Sequence, residues 1–375
     1  RAAERQSHPT RHVLPRRERH HRTRTEGTGV TRGDATLEAL TERGNALHNL
    51  GLAKWLEQDL KTAETYLREA LEIRRALGDL EKVGDTLQNL GLVLTDQRKS
   101  EAREFFEETL SIRERLGNLS NAARTHANLG LLSWKLGQLT DAEQHYEKAI
   151  ERIQPIGEEI IAHAVYNNLG AVRFEQGKFR EAREAYHKAL ASPRIATSKP
   201  SLIMFRSNLV EVEIRLGLWQ DANNNLNTGM ELLRQVTNGT PSADAHYFQL
   251  TEFHLFKGDI CAMNDQLSEA ADAFQSASSV ARAGHRTDRE AFALSKLARL
   301  RDSADVARQA VTLADTPMTR AALYSVERDF DSAQREIRKV NDPFRRGSVA
   351  VRFRVPDKND DWHVKANALL EQLKN

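Results

Sequence analysis

The sequence is short of cysteine, of proline and of long apolar runs, and these shortages narrow the class of protein. Cys261 is the only cysteine in the chain, which excludes an internal disulfide framework and a cysteine-based zinc cluster. No apolar run approaches the roughly 18 residues that a membrane-spanning helix needs, and the start of the chain lacks the pattern of a secretory signal peptide. We therefore expect a protein of the reducing cytoplasm that does not contact a membrane.

The composition favours a helix-rich, soluble chain. Nine of the 375 residues are proline, while 39% are hydrophobic and 29% are charged, which is typical of globular helical proteins. The length fits one extended architecture or about two to three compact domains. The first residue is arginine rather than methionine, which leaves open an upstream domain.

Residues 1–33 differ from the rest of the chain. They hold nine arginines against three glutamates, a net charge of +6, whereas the whole chain carries +2 and the remainder is therefore close to −4. Pro9, Pro15 and several glycines interrupt the segment, and apolar periodicity is almost absent. Too little apolar surface is available to offset the entropy lost on ordering, so we predict a disordered arm or an interdomain linker.

From Asp34 onward, apolar residues recur at helical spacing, and one short phrase recurs with them. The triplet Asn-Leu-Gly, with Val210 in place of glycine in the last copy, returns every 39 or 40 residues. Eleven or twelve residues later comes a small residue, then a bulky one four later and usually a small one three later still, as in Ala182, Tyr186 and Ala189. These spacings place the three residues on one face of an α-helix, where a second helix can approach closely. The pattern predicts an antiparallel helix pair repeated five times.

The Leu-Gly of the first helix and the Ala, aromatic and Ala of the second resemble the tetratricopeptide repeat. The resemblance covers about residues 36–235, although the 40-residue step is longer than the usual period of about 34. Such longer units are similar to those of kinesin light chains, LGN-type polarity scaffolds and bacterial regulators related to the maltose regulator and the antibiotic-regulatory proteins. The resemblance implies an all-α, right-handed superhelical solenoid of about eight or nine helix pairs.

Four segments follow from these patterns. We expect an arm at 1–33, five well-formed repeats at 34–235, degenerate repeats at 236–341 and capping helices at 342–375. Residues 349–355 alternate as a strand would, whereas Asp342 and Pro343 form a good helix start. We favour a final helix pair, because the end of a solenoid must present a polar face to water.

Motifs for catalysis or cofactor binding are absent from the sequence. It contains no phosphate-binding loop, HExxH helix, nucleophile elbow or calcium loop. His20 and His21 are adjacent but have no partner ligands at a fixed spacing. Carboxylates lie mostly on repeated helical faces, where solvation and i,i+4 pairing explain them. We therefore expect no enzymatic activity, no metal and no cofactor.

The resemblance also implies that the first helix of each pair lines a concave groove. The inner positions there include the asparagine two residues before each glycine and the residue four after it. An asparagine amide both donates and accepts, so a ladder of them can bond the backbone of an extended peptide, while aromatic side chains add area and specificity. The candidate groove residues are Asn49, Asn89, Asn128, Asn168, Asn208, Trp55, Trp134, Phe174, Arg124 and Asn167.

Two functions remain open at this point. The first is a non-enzymatic scaffold that binds a peptide or protein segment in the groove, as the sensor part of a bacterial signalling or transcriptional regulator; this last step rests on family analogy. The alternative is a nucleic-acid-associated protein whose arginine-rich arm contacts phosphates. Against the alternative, the arm lacks interleaved aromatic residues and the body has no net positive charge. Alternatively, the asparagines could be present because Asn is common at this position of the repeat, and Trp55 or Trp134 could pack between helices.

Overall fold

The computed structural model describes residues 32–157, 159–193, 195–239 and 243–327, together with residues 332 and 336. This part of the chain contains fifteen α-helices, two short 3-10 helices and no strand. The α-helices are α1 (Arg32–Leu56), α2 (Leu60–Ala76), α3 (Leu80–Asp96), α4 (Ala102–Arg115), α5 (Leu119–Lys135), α6 (Leu139–Ile153), α7 (Glu159–Glu175), α8 (Phe179–Leu190), α9 (Lys199–Arg215), α10 (Trp219–Thr237), α11 (Asp244–Met263), α12 (Leu267–Ala283), α13 (Thr287–Arg301), α14 (Ala304–Leu313) and α15 (Pro317–Val326).

Consecutive helices pack as pairs, and the pairs stack. Each odd-numbered helix from α1 to α13 contacts the even-numbered helix after it, and each even-numbered helix contacts the next pair. The odd-numbered helices from α1 to α11 also contact one another in sequence, so we call these six helices the inner layer. The predicted all-α fold class is confirmed: the described residues form a solenoid of seven complete helix pairs and the first helix of an eighth.

The recurrent glycine is explained by the bulky residue opposite it. A Cβ built on Gly91 of α3 would lie 2.6 Å from Cε1 of Phe106 on α4, and one built on Gly170 of α7 would lie 2.7 Å from Cδ1 of Tyr186 on α8. Real side chains do not approach so closely, so the aromatic ring packs directly on the helix backbone. The fifth unit carries Val210 in place of glycine and the smaller Leu226 in place of an aromatic, and both are buried.

The turns inside the pairs reverse the chain with one residue in the left-handed region. Glycine holds this conformation at several turns, for example Gly137 with φ 77° and Gly177 with φ 77°. Arg98, with φ 56°, holds it in the second pair without the freedom of glycine. The connections between successive pairs vary more in length, because the segments after α6, α8 and α10 are longer than the others.

A charged residue near the start of each of four outer helices reaches the next pair, and its sign alternates along the stack. Glu64 of α2 accepts from Lys99 Nζ at 2.9 Å, and Arg103 of α4 donates to Gln138 Oε1 at 3.1 Å. In the following pairs, Lys178 Nζ donates to Glu143 Oε2 at 2.6 Å, and Arg183 Nη2 donates to Asp221 Oδ2 at 2.8 Å. We call these four contacts the inter-pair clasps; the order of signs is minus, plus, minus, plus.

Several predictions fall outside the described residues. The arm, except for its last two residues, and the expected capping segment at 342–375 both lie there, so the choice between strand and helix at 349–355 stays a prediction. The proposed division into four segments likewise stays a prediction. Among the helices that the structure describes, none combines the length and apolar character needed to cross a membrane.

Candidate functional site

The predicted asparagine ladder lies on the inner layer, but most of it is buried. Asn89, Asn128 and Asn168 are 0% exposed, while Asn49 and Asn208 are half-buried. A ligand cannot reach an amide that has no exposed surface. Burial therefore contradicts direct ligand contact by the three central asparagines in this conformation, and they act within the stack instead.

The contacts of Asn89 show what such an amide does. The Arg74 guanidinium on α2 donates to Thr86 Oγ1 at 2.6 Å and to His48 Nδ1 at 3.0 Å, and His48 Nε2 lies 3.2 Å from the Asn89 amide. Burial, with the charge of Arg74 adding to it, holds the pKa of His48 well below its usual value, so the ring is neutral. The neutral ring accepts from the arginine at Nδ1, and its Nε2 faces Asn89 Nδ2. This cluster ties α1, α2 and α3 together.

Asn167 and Asn208 join two inner helices in a similar way. Asn208 Nδ2 of α9 donates to Asn167 Oδ1 of α7 at 2.9 Å. Asn167 is itself fully buried, and its Nδ2 lies 3.4 Å from Asn168 Oδ1. The amide-to-amide bond satisfies groups that would otherwise be costly to bury, so Asn167 is a packing residue rather than a ligand contact.

The predicted aromatic row divides into a buried and an accessible part. Trp55 is 3% exposed, and its indole N–H donates to Asp96. Trp134 and Phe174 are half-buried, as are Arg124 and Ile214 of the same layer. Phe174 also packs edge-on against Phe179, with ring centroids 5.3 Å apart. The accessible part of the predicted site therefore lies towards α5, α7 and α9.

Sequence reasoning missed a cavity of about 950 Å³ between α10 and α11. Its polar lining is rich in amides from α10 and from the turn after α11, and its apolar lining includes Met230, Leu250 and Ile260. The sequence did contain a signal for it: residues 222–227, on the outer helix of the fifth pair, read ANNNLN. The amides that line the cavity are Gln220, Asn223, Asn227, Asn264 and Gln266.

Titratable residues do not assemble into a metal centre in the described part of the chain. No group of three or more histidine, cysteine, aspartate or glutamate side chains there could hold a metal ion. His126 and His145 do meet, with their Nδ1 atoms 3.5 Å apart. Burial lowers the pKa of His126 to about 3 and that of His145 to about 4, and nearby arginine and lysine charges act in the same direction. Both rings are neutral packing partners at physiological pH.

Comparison with solved structures shows similar solenoids. The chain is similar to aspartyl phosphate phosphatase F from Bacillus subtilis, at 14% identity and a TM-score of 0.55 over 88% of this chain and 76% of that one. It is similar to the apo form of RapI, at 14% identity and 0.54 over 79% and 99%. It is also similar to a Rap protein complexed with competence and sporulation factor, at 15% identity and 0.51 over 90% and 91%. At such identities these likenesses establish the fold alone.

Sequence comparison identifies the repeats themselves. No curated protein sequence matches the chain significantly. The tetratricopeptide repeat family model matches residues 42–115 and 121–194, which together span the first four helix pairs. The matched segments contain the glycine and aromatic pairs whose close packing is described above. Residues 42–115 and 121–194 are therefore tetratricopeptide repeats.

Proposed function

We propose that the protein is a non-enzymatic interaction scaffold that binds an extended peptide or protein segment along the inner layer from α5 to α9. The observation that carries the proposal is the row formed by Trp134, Phe174 and Ile214, which hold the same position in successive inner helices and keep part of their surface exposed. Aromatic and aliphatic side chains in such a row supply most of the binding energy when a partner buries them. Arg124 and Asn208 add polar groups on the same helices.

The regulatory part of the proposal rests on analogy. A Rap protein of similar fold was solved in complex with competence and sporulation factor, and that ligand is a property of that protein. Solenoids present extended surfaces suited to segments rather than to small substrates. By this analogy we propose that the chain acts as the sensor of a bacterial signalling or transcriptional regulator.

The test compares two phenylalanine variants. A partner is first captured with the wild-type protein and identified by mass spectrometry, and its affinity is then measured for Phe174→Ala and for Phe105→Ala. Phe105 lies on the outer helix α4, is also half-buried and contacts Arg68, so it is a matched control. We expect at least a tenfold loss of affinity for Phe174→Ala and little change for Phe105→Ala. Equal affinities for both variants would overturn the proposal.

A further inference from the structure

The cavity between α10 and α11 lies apart from the inner-layer row. One wall is the face of the outer helix α10 that carries Gln220, Asn223 and Asn227. The other is the C-terminal half of α11 with Lys257, together with Asn264 directly after the helix. The connection between these helices, after Thr237 and before Asp244, is longer than the turns at residues 77–79 and 116–118. Thr237 and Gly239, where this connection begins, line the cavity.

Four of the five amides of the cavity differ from those of the buried ladder in being accessible and unpaired; the fifth, Gln220, donates to Asn224 Oδ1 at 3.3 Å. Asn227, Asn264 and Gln266 are exposed and Asn223 is half-buried. Within the described residues, none of these four side chains hydrogen-bonds to another residue, whereas Asn89 and Asn208 are engaged. Each free amide presents one acceptor and two donor hydrogens. The walls therefore offer the pattern that matches the N–H and C=O groups of an extended backbone.

The charges that line the cavity leave one cation without a partner. Asp221 accepts from Arg183 Nη2 at 2.8 Å, and Glu231 accepts from Arg234 Nε at 2.8 Å and Nη2 at 2.9 Å. Lys257, by contrast, forms no ion pair with any residue that the structure describes. The uncompensated charge of the lining is therefore positive, and it favours a ligand that carries a carboxylate.

We propose that this cavity is a second binding site, which takes an extended peptide segment bearing an acidic side chain or C-terminal carboxylate. The free amides bond the peptide backbone, and Lys257 pairs with the carboxylate. Met230, Leu250 and Ile260 at the cavity wall accept an apolar side chain of the same segment. The cavity volume of about 950 Å³ is at the upper end of the range for small-molecule sites, which suits a segment of several residues better than a single metabolite.

The only cysteine of the chain provides a local readout. Cys261 lines the cavity and is 8% exposed, and burial raises the pKa of its thiol, so its alkylation is slow and sensitive to what covers it. The experiment measures the rate of alkylation by N-ethylmaleimide, followed by mass spectrometry of the full chain. The probe is an acetylated hexapeptide of alternating leucine and glutamate, and the comparison peptide alternates leucine and lysine.

We expect the acidic peptide to slow alkylation at least threefold and the basic peptide to leave the rate unchanged. Lys257→Glu removes the protection, whereas Lys61→Glu, a charge reversal at an exposed lysine of α2, retains it. Both exchanged lysines are exposed, and melting curves check that both variants remain folded. A double variant, Asn223→Ala with Asn227→Ala, weakens the protection while leaving Lys257 in place.

Three results would overturn the proposal. They are a failure of the acidic peptide to protect Cys261, equal protection in Lys257→Glu and Lys61→Glu, and equal protection by glutarate alone, which would assign the cavity to a small dicarboxylate. The inner-layer proposal is tested separately, because Phe174→Ala leaves the alkylation rate and its protection unchanged if the two sites are distinct.

Discussion

The indole N–H of Trp55 donates a hydrogen bond to Asp96 Oδ2 at 2.7 Å, across the boundary between the first and second helix pairs. Lys135 of the third pair donates to the other carboxylate oxygen, also at 2.7 Å. One carboxylate, 8% exposed, therefore connects three successive inner helices. A tryptophan expected in a ligand groove turns out to fix the stacking of the solenoid.

Replacing Trp55 by phenylalanine should therefore destabilise the fold without affecting capture of a partner. The variant loses a hydrogen bond to a charged acceptor, which contributes about 2 kcal/mol to the free energy of unfolding. Urea denaturation measures the loss. In an Asp96→Asn background the same exchange should cost clearly less, and a fully additive cycle would show that the two groups are not coupled.

The close packing of each glycine against an aromatic ring predicts that a larger residue at the glycine position is destabilising. Gly91→Ala should lower the free energy of unfolding by about 1–3 kcal/mol, because the new methyl group overlaps the Phe106 ring. Adding Phe106→Leu should recover part of that loss, since the fifth unit already combines a larger inner residue, Val210, with the smaller Leu226. Recovery is measured by the urea midpoint, and a double variant that is less stable than Gly91→Ala would contradict the packing argument.

The left-handed turn at Arg98 is a site where stability can be gained. Arg98→Gly should raise the free energy of unfolding by about 0.5–1 kcal/mol, because glycine adopts φ 56° without the steric cost that arginine carries. The side chain is exposed and makes no hydrogen bond to another described residue. The matched exchange in the opposite direction, Gly137→Ala at φ 77°, should be destabilising. A fall in stability for Arg98→Gly would contradict this reading.

Acidification should weaken the contact between the third pair's two histidines. The pKa is about 3 for His126 and about 4 for His145 in the folded protein, against about 6.5 in the unfolded chain. Between pH 6.5 and about 4 the unfolded state binds more protons, so stability falls as the pH falls. Arg152, Lys148 and Arg103 oppose protonation of these rings, and Asp141 favours it only at His145.

A comparison of variants isolates this contribution from that of the carboxylates. The double variant His126→Gln with His145→Gln should show a shallower loss of stability than the wild type, by up to about 1.4 kcal/mol per pH unit for each histidine. The difference should level off below about pH 3, where both states are protonated. Parallel stability curves for the two proteins from pH 4 to 6.5 would show that the histidines do not titrate in this way.

The sequence predicted the repeated architecture well because the residues that pack against each other lie close together in the chain. Gly91, Phe106 and their counterparts are spaced along the chain by helical geometry, and each pair meets within one unit. The site was harder to predict because exposure depends on how neighbouring units close around a residue. Asn89 and Asn208 hold the same position in the repeat, yet one is fully buried and the other is half-buried. The cavity beside α10 arises from the spacing between units, which no short motif records.

The inter-pair clasps have a consequence for how the solenoid tolerates the loss of a unit. Removing the second unit would place Glu64 opposite the turn of the third, where Gln138 and Asp141 now face the cation of Arg103. Removing the second and third units together would place Glu64 opposite Lys178, and the attraction of opposite charges would be kept. The charges of the first four units therefore repeat with a period of two units. Deleting two units keeps opposite charges in contact between neighbouring pairs, whereas deleting one does not.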